Sequence, residues 1–207
     1  MYNIICILLL VYKMIYKIIY IFNIHMNSLY IVKENIINCE LYTIHILQKY
    51  LILNQVNYVS SLNKYLTSRN SIILYLSFIF YHDVNLFIYI VLSLYTSRTT
   101  THYIKNYCKK ERPYNRNPGY IKYFIKRKYS YSFPSQSILN ISVFYNSIYY
   151  YNIYNEYLWF QFMTYIYYML FISLSITRMY RGLHYPHDII ISYLYGIFVV
   201  RFIMLLS

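Results

Sequence analysis

Long apolar runs in the second half of the chain constrain its fold more than any other feature. Tyr157–Thr177 and Ile189–Leu206 each approach the ~20 residues a helix needs to cross a bilayer core. Each holds one strongly polar side chain, Gln161 in the first and Arg201 in the second. Ile4–Ile24 is equally long, and its Lys13 and Lys17 lie four apart on one helical face, turned to the bundle or snorkelling to a headgroup. Asn70–Tyr81 and Val84–Ile104 flank His82-Asp83, which reads as a tight polar turn, and Ile138–Ile153 is a further span rich in Tyr and Asn. The mixed stretch Leu41–Val59 reads as an amphipathic interfacial helix. The expectation is an all-α, polytopic membrane helix bundle of about six transmembrane helices plus that interfacial helix. Residues 1–207 would then form a single membrane domain, with too little chain left for a second folded unit.

Composition supports this class. Hydrophobic residues reach 59% and charged residues only 12%, against about 45–50% and about 25% in soluble domains. Such a chain is too apolar for disorder and has too few charges to cover a water-facing surface. It holds 33 Tyr and no Ala, the mark of AT-rich codons, so fixed-spacing motifs outweigh propensity. Cys6, Cys39 and Cys108 show no paired metal spacing and read as buried or lipid-facing thiols. The N-terminal run lacks a basic start and exceeds a signal core, so it reads as a retained anchor.

The net charge is nevertheless +13, and it is localised. Between Lys105 and Lys128 nine basic residues face one acid, Glu111, a local charge of +8 in the loop that runs from Lys105 to Ser137. Charge alone fits positive-inside topology or attraction to anionic lipid. The arrangement of particular residues at three places says more.

Lys105-x6-Arg112-Pro113 puts a mobile point charge and a bidentate fork beyond the end of a span, where both reach one phosphate. Pro134-Ser135-Gln136-Ser137 stands just before another span, so Ser135 and the free first-turn N–H groups make an anion site or an ordinary N-cap. Arg178-x5-His184-x3-Asp188 stands between the last two apolar runs. At that spacing the Asp188 carboxylate can accept from one ring nitrogen of His184 and leave the other as a nucleophile. If the spans are counted correctly, all three strings meet at one membrane face.

Together they resemble the type-2 phosphatidic acid phosphatase superfamily of membrane lipid phosphatases, whose strings are K-x6-R-P, P-S-x-H and S-R-x5-H-x3-D. Eight fixed positions match in order: Lys105, Arg112, Pro113, Pro134, Ser135, Arg178, His184 and Asp188. The similarity runs from about Val84 to Gly196, a catalytic motif region at 84–196 that encloses the basic active-site loop 105–137. Asn140 and the second string look nearer to the sphingoid-base-phosphate phosphatases.

The resemblance implies a metal-independent lipid phosphomonoester hydrolase with no cofactor. His184 would be the nucleophile forming a phosphohistidine, and Asp188 would orient it. Lys105, Arg112, Ser135 and Arg178 would bind the phosphoryl group. Its partners would be a lipid phosphate substrate and membrane lipids, and no nucleic acid. The setting would be an integral multi-pass protein, with the endoplasmic reticulum one option and the face of the site open.

The sequence departs from the family twice. Thr177 replaces the usual Ser, and Ser137 stands at the position of the general-acid His. General acid catalysis is worth roughly 10²–10⁴-fold, and His102 and His187 are the nearby substitutes in sequence. A second expectation is therefore an impaired member that binds lipid phosphates without efficient turnover. A third, a structural or transport protein, must treat the eight ordered matches as coincidence.

Overall fold

The computed structural model describes residues 30–51, 53–66, 75–77, 79–81, 83–122, 131–152 and 159–205. The span expected at Ile4–Ile24 lies outside them, as does half of Asn70–Tyr81, whose described residues 75–77 and 79–81 are helical. The described residues form helices and connecting turns. In chain order these are α1 (Tyr30–Tyr50), α2 (Leu53–Leu66), α3 (Val84–Cys108), the one-turn α4 (Pro113–Arg116), α5 (Gln136–Asn152), α6 (Trp159–Tyr180) and α7 (Pro186–Leu205).

The helices begin and end on local chemistry. Asp83 caps α3 by accepting from the Leu86 N–H at 3.0 Å, so the expected polar turn supplies a helix start. Lys109 ends α3 in a left-handed conformation (φ 43°) and donates its N–H to the Lys105 carbonyl. Pro113 occupies the first position of α4, where its missing N–H costs nothing. At the end of α6, Gly182 takes φ 63°; its N–H bonds the Met179 carbonyl at 2.8 Å, and the Leu183 N–H bonds that of Arg178 at 3.1 Å. A Cβ on Gly182 would come within 2.8 Å of Ile121 Cγ2. Glycine thus sets the bend that leads from Arg178 to His184.

α5 packs against α3, α6 and α7, and α3 also meets α7. Leu139, Val143 and Val200 join α5 to α7; Ile138, Leu174 and Ile189 tie in α6; Leu86, Ile90 and Ile148 tie in α3. Gly196 allows the closest approach, since a Cβ there would lie 2.4 Å from Ser142 Oγ on α5. Small residues at helix contacts are how membrane bundles bring backbones together.

Polarity is arranged inside out. Ser93, Ser97, Thr100 and Thr101 of α3, Ser142, Asn146 and Ser147 of α5 and Ser192 of α7 are buried. Val91 and Leu92, Met169 and Ile172, and Ile190, Leu194 and Phe198 face outward. By length and composition α7 alone among the described helices qualifies by itself to cross a membrane.

The stretch read as one interfacial helix is divided between α1 and α2, with a break at Leu51. The apolar stripe Ile37, Leu41 and Ile44 of α1 is spent on protein. It packs with Tyr114, Ile121, Leu183 and Tyr185 beneath the connections that carry the motifs. Polar contacts fix it there. Gln48 donates to the carbonyls of Lys122 and Tyr180 at 2.8 and 2.6 Å, and Glu34 pairs with Arg116 at 2.7 Å. Cys39 and Cys108 are free and exposed rather than part of the core.

Candidate active site

The ends of α3, α5, α6 and α7 meet around His184, which is only 4% exposed. Three separated strings of sequence thereby come together. Arg112 donates to the Leu183 carbonyl at 2.9 Å, next to His184 in the chain. Arg112 and Lys105 both reach the Tyr131 carbonyl at 3.3 Å, just before the second string. Ser135 joins α7 by donating its N–H to Ser192 Oγ at 2.7 Å.

The second string forms a helix start with vacant donors. Leu139 N–H makes the first bond of α5, to the Ser135 carbonyl at 3.0 Å. The N–H groups of Gln136, Ser137 and Ile138 therefore precede any intrahelical acceptor. Ser135 Oγ is fully buried with no hydrogen-bond partner among the described residues. An oriented hydroxyl and open first-turn amides form an anion-binding corner. Ser137 is half-buried in that turn.

His184 is set differently from the sequence expectation. Its Nδ1 lies 2.7 Å from the Ser132 carbonyl, which can only accept, so Nδ1 carries the proton and Nε2 keeps its lone pair. Asp188 does not bond the His184 ring. Its Oδ2 accepts from Ser132 Oγ at 2.9 Å and from the Tyr185 N–H at 3.1 Å, and its Oδ1 accepts from Lys110 Nζ at 2.6 Å. The physical reason is the helix boundary. α7 begins at Pro186, so His184 lies before it and the i, i+4 register does not apply. Asp188, at the third position of α7, reaches back to the N-cap amide of Tyr185 as in a capping box. Its link to His184 runs through Ser132.

The electrostatics favour a neutral imidazole. Burial, then the charges of Arg112, Arg178 and Lys105, hold His184 well below its ordinary range, against a smaller opposite effect of the Ser132 hydrogen bond. Arg178 also lies within the fields of Arg112 and Arg181 and has no anionic partner among the described residues. Cations gathered around a neutral imidazole, beside open amides, suit a phosphoryl group.

The two substitute histidines lie elsewhere. His102 is exposed, with Nε2 3.1 Å from Asn106 Nδ2. His187 is held between Glu40 of α1 and Lys110, on the side of Asp188 away from Ser132. Sequence reasoning did not single out Ser132, Lys110, Glu40 or Ser192. Ser132 offers a backbone carbonyl that any residue carries, and Lys110 is one lysine among many.

Comparison with known proteins identifies the family and the fold. Residues 86–207, more than half of the chain, match the PAP2 superfamily, and the chain belongs to it. The crystal structure of LpxE from Aquifex aeolicus superposes with a TM-score of 0.64 at 17% identity, covering 80% of this chain and 94% of LpxE. A transmembrane PAP2-type phosphatidylglycerolphosphate phosphatase from Bacillus subtilis superposes with a TM-score of 0.54 at 17% identity, covering 99% of this chain and 95% of that one. At such low identity these superpositions establish the fold alone. No curated protein matches the chain.

Proposed function

We propose that the chain is a multi-pass membrane enzyme that hydrolyses a lipid phosphomonoester through a phosphohistidine at His184. The observation that carries this reading is the setting of His184: Nδ1–H donates to the Ser132 carbonyl, which leaves the lone pair on Nε2, and the charges of Arg112, Arg178 and Lys105 act on the ring. Nε2 attacks phosphorus, the P–O bond to the lipid alkoxide breaks, and phosphate is held on nitrogen. Arg112, Arg178, Lys105, the Ser135 hydroxyl and the first-turn amides of α5 hold the phosphoryl oxygens as charge develops. Water then attacks phosphorus, freeing phosphate and returning the electron pair to Nε2. Asp188 acts as a positioning residue through Ser132.

Helix lengths support several crossings. At 1.5 Å per residue, the 25 residues of α3 span ~37 Å and the 22 of α6 ~33 Å, beyond the ~30 Å hydrocarbon thickness. Their outward apolar faces and buried hydroxyls suit lipid outside and protein inside. A site at the ends of four helices suits a lipid with its head at the interface. Phosphatidate and sphingoid-base phosphates present the same phosphoryl group.

The test is phosphate release from both lipids by purified protein in EDTA, with acid-labile phosphoprotein trapped by a rapid quench. Activity or trapping that survives His184→Ala overturns the assignment. Ser137 supports a second reading, a member that binds lipid phosphates with little turnover, because a hydroxyl is a poor acid for the leaving alkoxide. That reading predicts a rate gain of roughly 10²–10⁴-fold for Ser137→His, whereas robust wild-type turnover rejects it.

A further inference from the structure

We infer that Lys110, His187 and Glu40 are positioning residues for the nucleophile, acting on His184 through Asp188 and Ser132. The inference rests on the proposed role of His184. It adds a helix outside the three motifs, α1, to the machinery.

The bonding pattern fixes the state of each group. Glu40 is buried and accepts twice from His187, from its backbone N–H at 2.8 Å and from Nδ1–H. The His187 proton is therefore on Nδ1, and Nε2 is left to accept from the Lys110 ammonium. Lys110 gives another proton to Asp188 Oδ1 at 2.6 Å and lies 4.2 Å above the Tyr185 ring. Asp188 is fully buried, and its other oxygen takes the Ser132 hydroxyl and the Tyr185 N–H. Ser132 then holds His184 Nδ1 by its carbonyl. Donor and acceptor alternate from Glu40 through Lys110 and Asp188 to His184, with His187 Nε2 also lying 3.3 Å from Asp188 Oδ1, where the ammonium sits between them.

That order gives Lys110 an electrostatic task besides a structural one. A buried, uncompensated carboxylate joined to His184 through Ser132 would favour the imidazolium, which cannot attack phosphorus. Lys110 neutralises Asp188, so the cations at His184 dominate and the ring stays neutral. His187 and Glu40 keep the lysine on Asp188. The charges facing this arrangement are Lys105, Arg112 and Arg178 around His184, Asp188 behind it, and Glu111 and Arg116 near Tyr185. None of the three proposed residues is placed against the phosphoryl group, so their loss should leave substrate affinity alone.

The experiment follows the His184 imidazole by NMR in detergent-solubilised, histidine-labelled full-length protein, assigning it among the six histidines with His184→Gln. Lys110→Met should raise the His184 titration by about half a pH unit or more. Lys110→Arg should leave it near the wild-type position. Glu40→Gln should move it the same way by less, and the double variant should match Lys110→Met rather than add to it. In turnover of phosphatidate, Lys110→Met should lower kcat about 10–100-fold, as removal of orienting partners does elsewhere, with KM within about two-fold. An unmoved His184 titration in both Lys110→Met and Glu40→Gln overturns the inference, whatever happens to stability. Should Lys110→Met not fold, Glu40→Gln, which keeps the shape of the side chain, carries the same readout. The titration needs no turnover, so it judges the positioning role separately from the phosphatase assignment, which stands or falls on phosphate release and His184→Ala.

Discussion

The carbonyl of Ser132 accepts from His184 Nδ1 at 2.7 Å, while the hydroxyl of the same serine donates to Asp188 Oδ2 at 2.9 Å. One residue therefore holds the ring by its backbone and answers the buried carboxylate by its side chain. Removing the hydroxyl alone separates these tasks. Ser132→Ala keeps the carbonyl, and Asp188 keeps Lys110 and the Tyr185 N–H. Thermal unfolding should show a loss of about 1–3 kcal/mol for the unmet acceptor, with phosphate release reduced but present. Asp188→Asn should cost more on both measures. It also breaks the ion pair with Lys110 and sets an amide N–H₂ among donors. Its stability cost should stay within the ~3–5 kcal/mol of a fully buried pair, because the Lys110 side chain is 22% exposed and can rehydrate.

Stability should fall in acid through His184. Burial and the surrounding cations hold its folded-state value well below the ordinary 6.5. Between that value and about 6.5 the unfolded chain binds the proton and the folded chain does not. Stability is thus complete above the unfolded value and is lost as pH falls beneath it, at up to ~1.4 kcal/mol per pH unit. Denaturant unfolding between pH 5 and 7 should show this slope in the wild type and a flatter one in His184→Gln. Equal slopes would reject the neutral, buried imidazole.

The motifs were legible because fixed spacing survives a biased composition. Lys105, Arg112, Ser135, Arg178 and His184 are side chains whose chemistry is plain in sequence, and the fold brings their strings together. The spacing misled at Asp188, because an i, i+4 pair needs both residues inside the helix and Pro186 starts α7 between them. Glu40 was illegible for a different reason. It sits far from His187 in the chain, and only the packing of Ile37, Leu41 and Ile44 on the motif connections brings α1 close. That stripe reads equally well as a lipid-facing one. Val84–Ile104 was legible as a helix, which the structure extends to Cys108, while its Ser and Thr stripe gave no sign of which helices it packs against.

Arg178 should report anion binding. It stands beside Arg112 and Arg181 with no anionic partner among the described residues. Inorganic phosphate or vanadate should stabilise the fold by the mass-action amount, about 2.7 kcal/mol at 100 times Kd, and so raise Tm. Arg178→Ala should abolish most of that rise. In the absence of anion the same substitution should cost little, because like-charge repulsion is relieved. Arg178→Lys should restore part of the response, since a point charge replaces a bidentate fork. A full vanadate response in Arg178→Ala would remove this residue from the phosphoryl site.

The contact between α5 and α7 sets where Ser135 stands relative to His184, and Gly196 is its narrowest point. A Cβ there would meet Ser142 Oγ at 2.4 Å, Ser142 Cβ at 2.6 Å and the Val143 backbone nitrogen at 3.2 Å. Ser142 has little freedom to give way, because its hydroxyl donates to the Tyr193 carbonyl at 2.7 Å and its carbonyl accepts from Asn146 at 2.7 Å. Gly196→Ala must therefore part the helices. Overpacking of this kind costs about 1–3 kcal/mol, which unfolding in detergent should register. The functional consequence is more specific. Ser192, one turn earlier on α7, accepts from the Ser135 N–H at 2.7 Å and donates to the Asp188 carbonyl. Separating the helices should lengthen the first of these bonds and draw Ser135 and the first turn of α5 away from His184. Phosphate release should fall further than stability alone explains at temperatures well below Tm. Ser142→Gly, which removes the atoms a Cβ at 196 would meet, should recover part of both losses in the Gly196→Ala background. Additive losses in the double variant would show that the clash lies elsewhere.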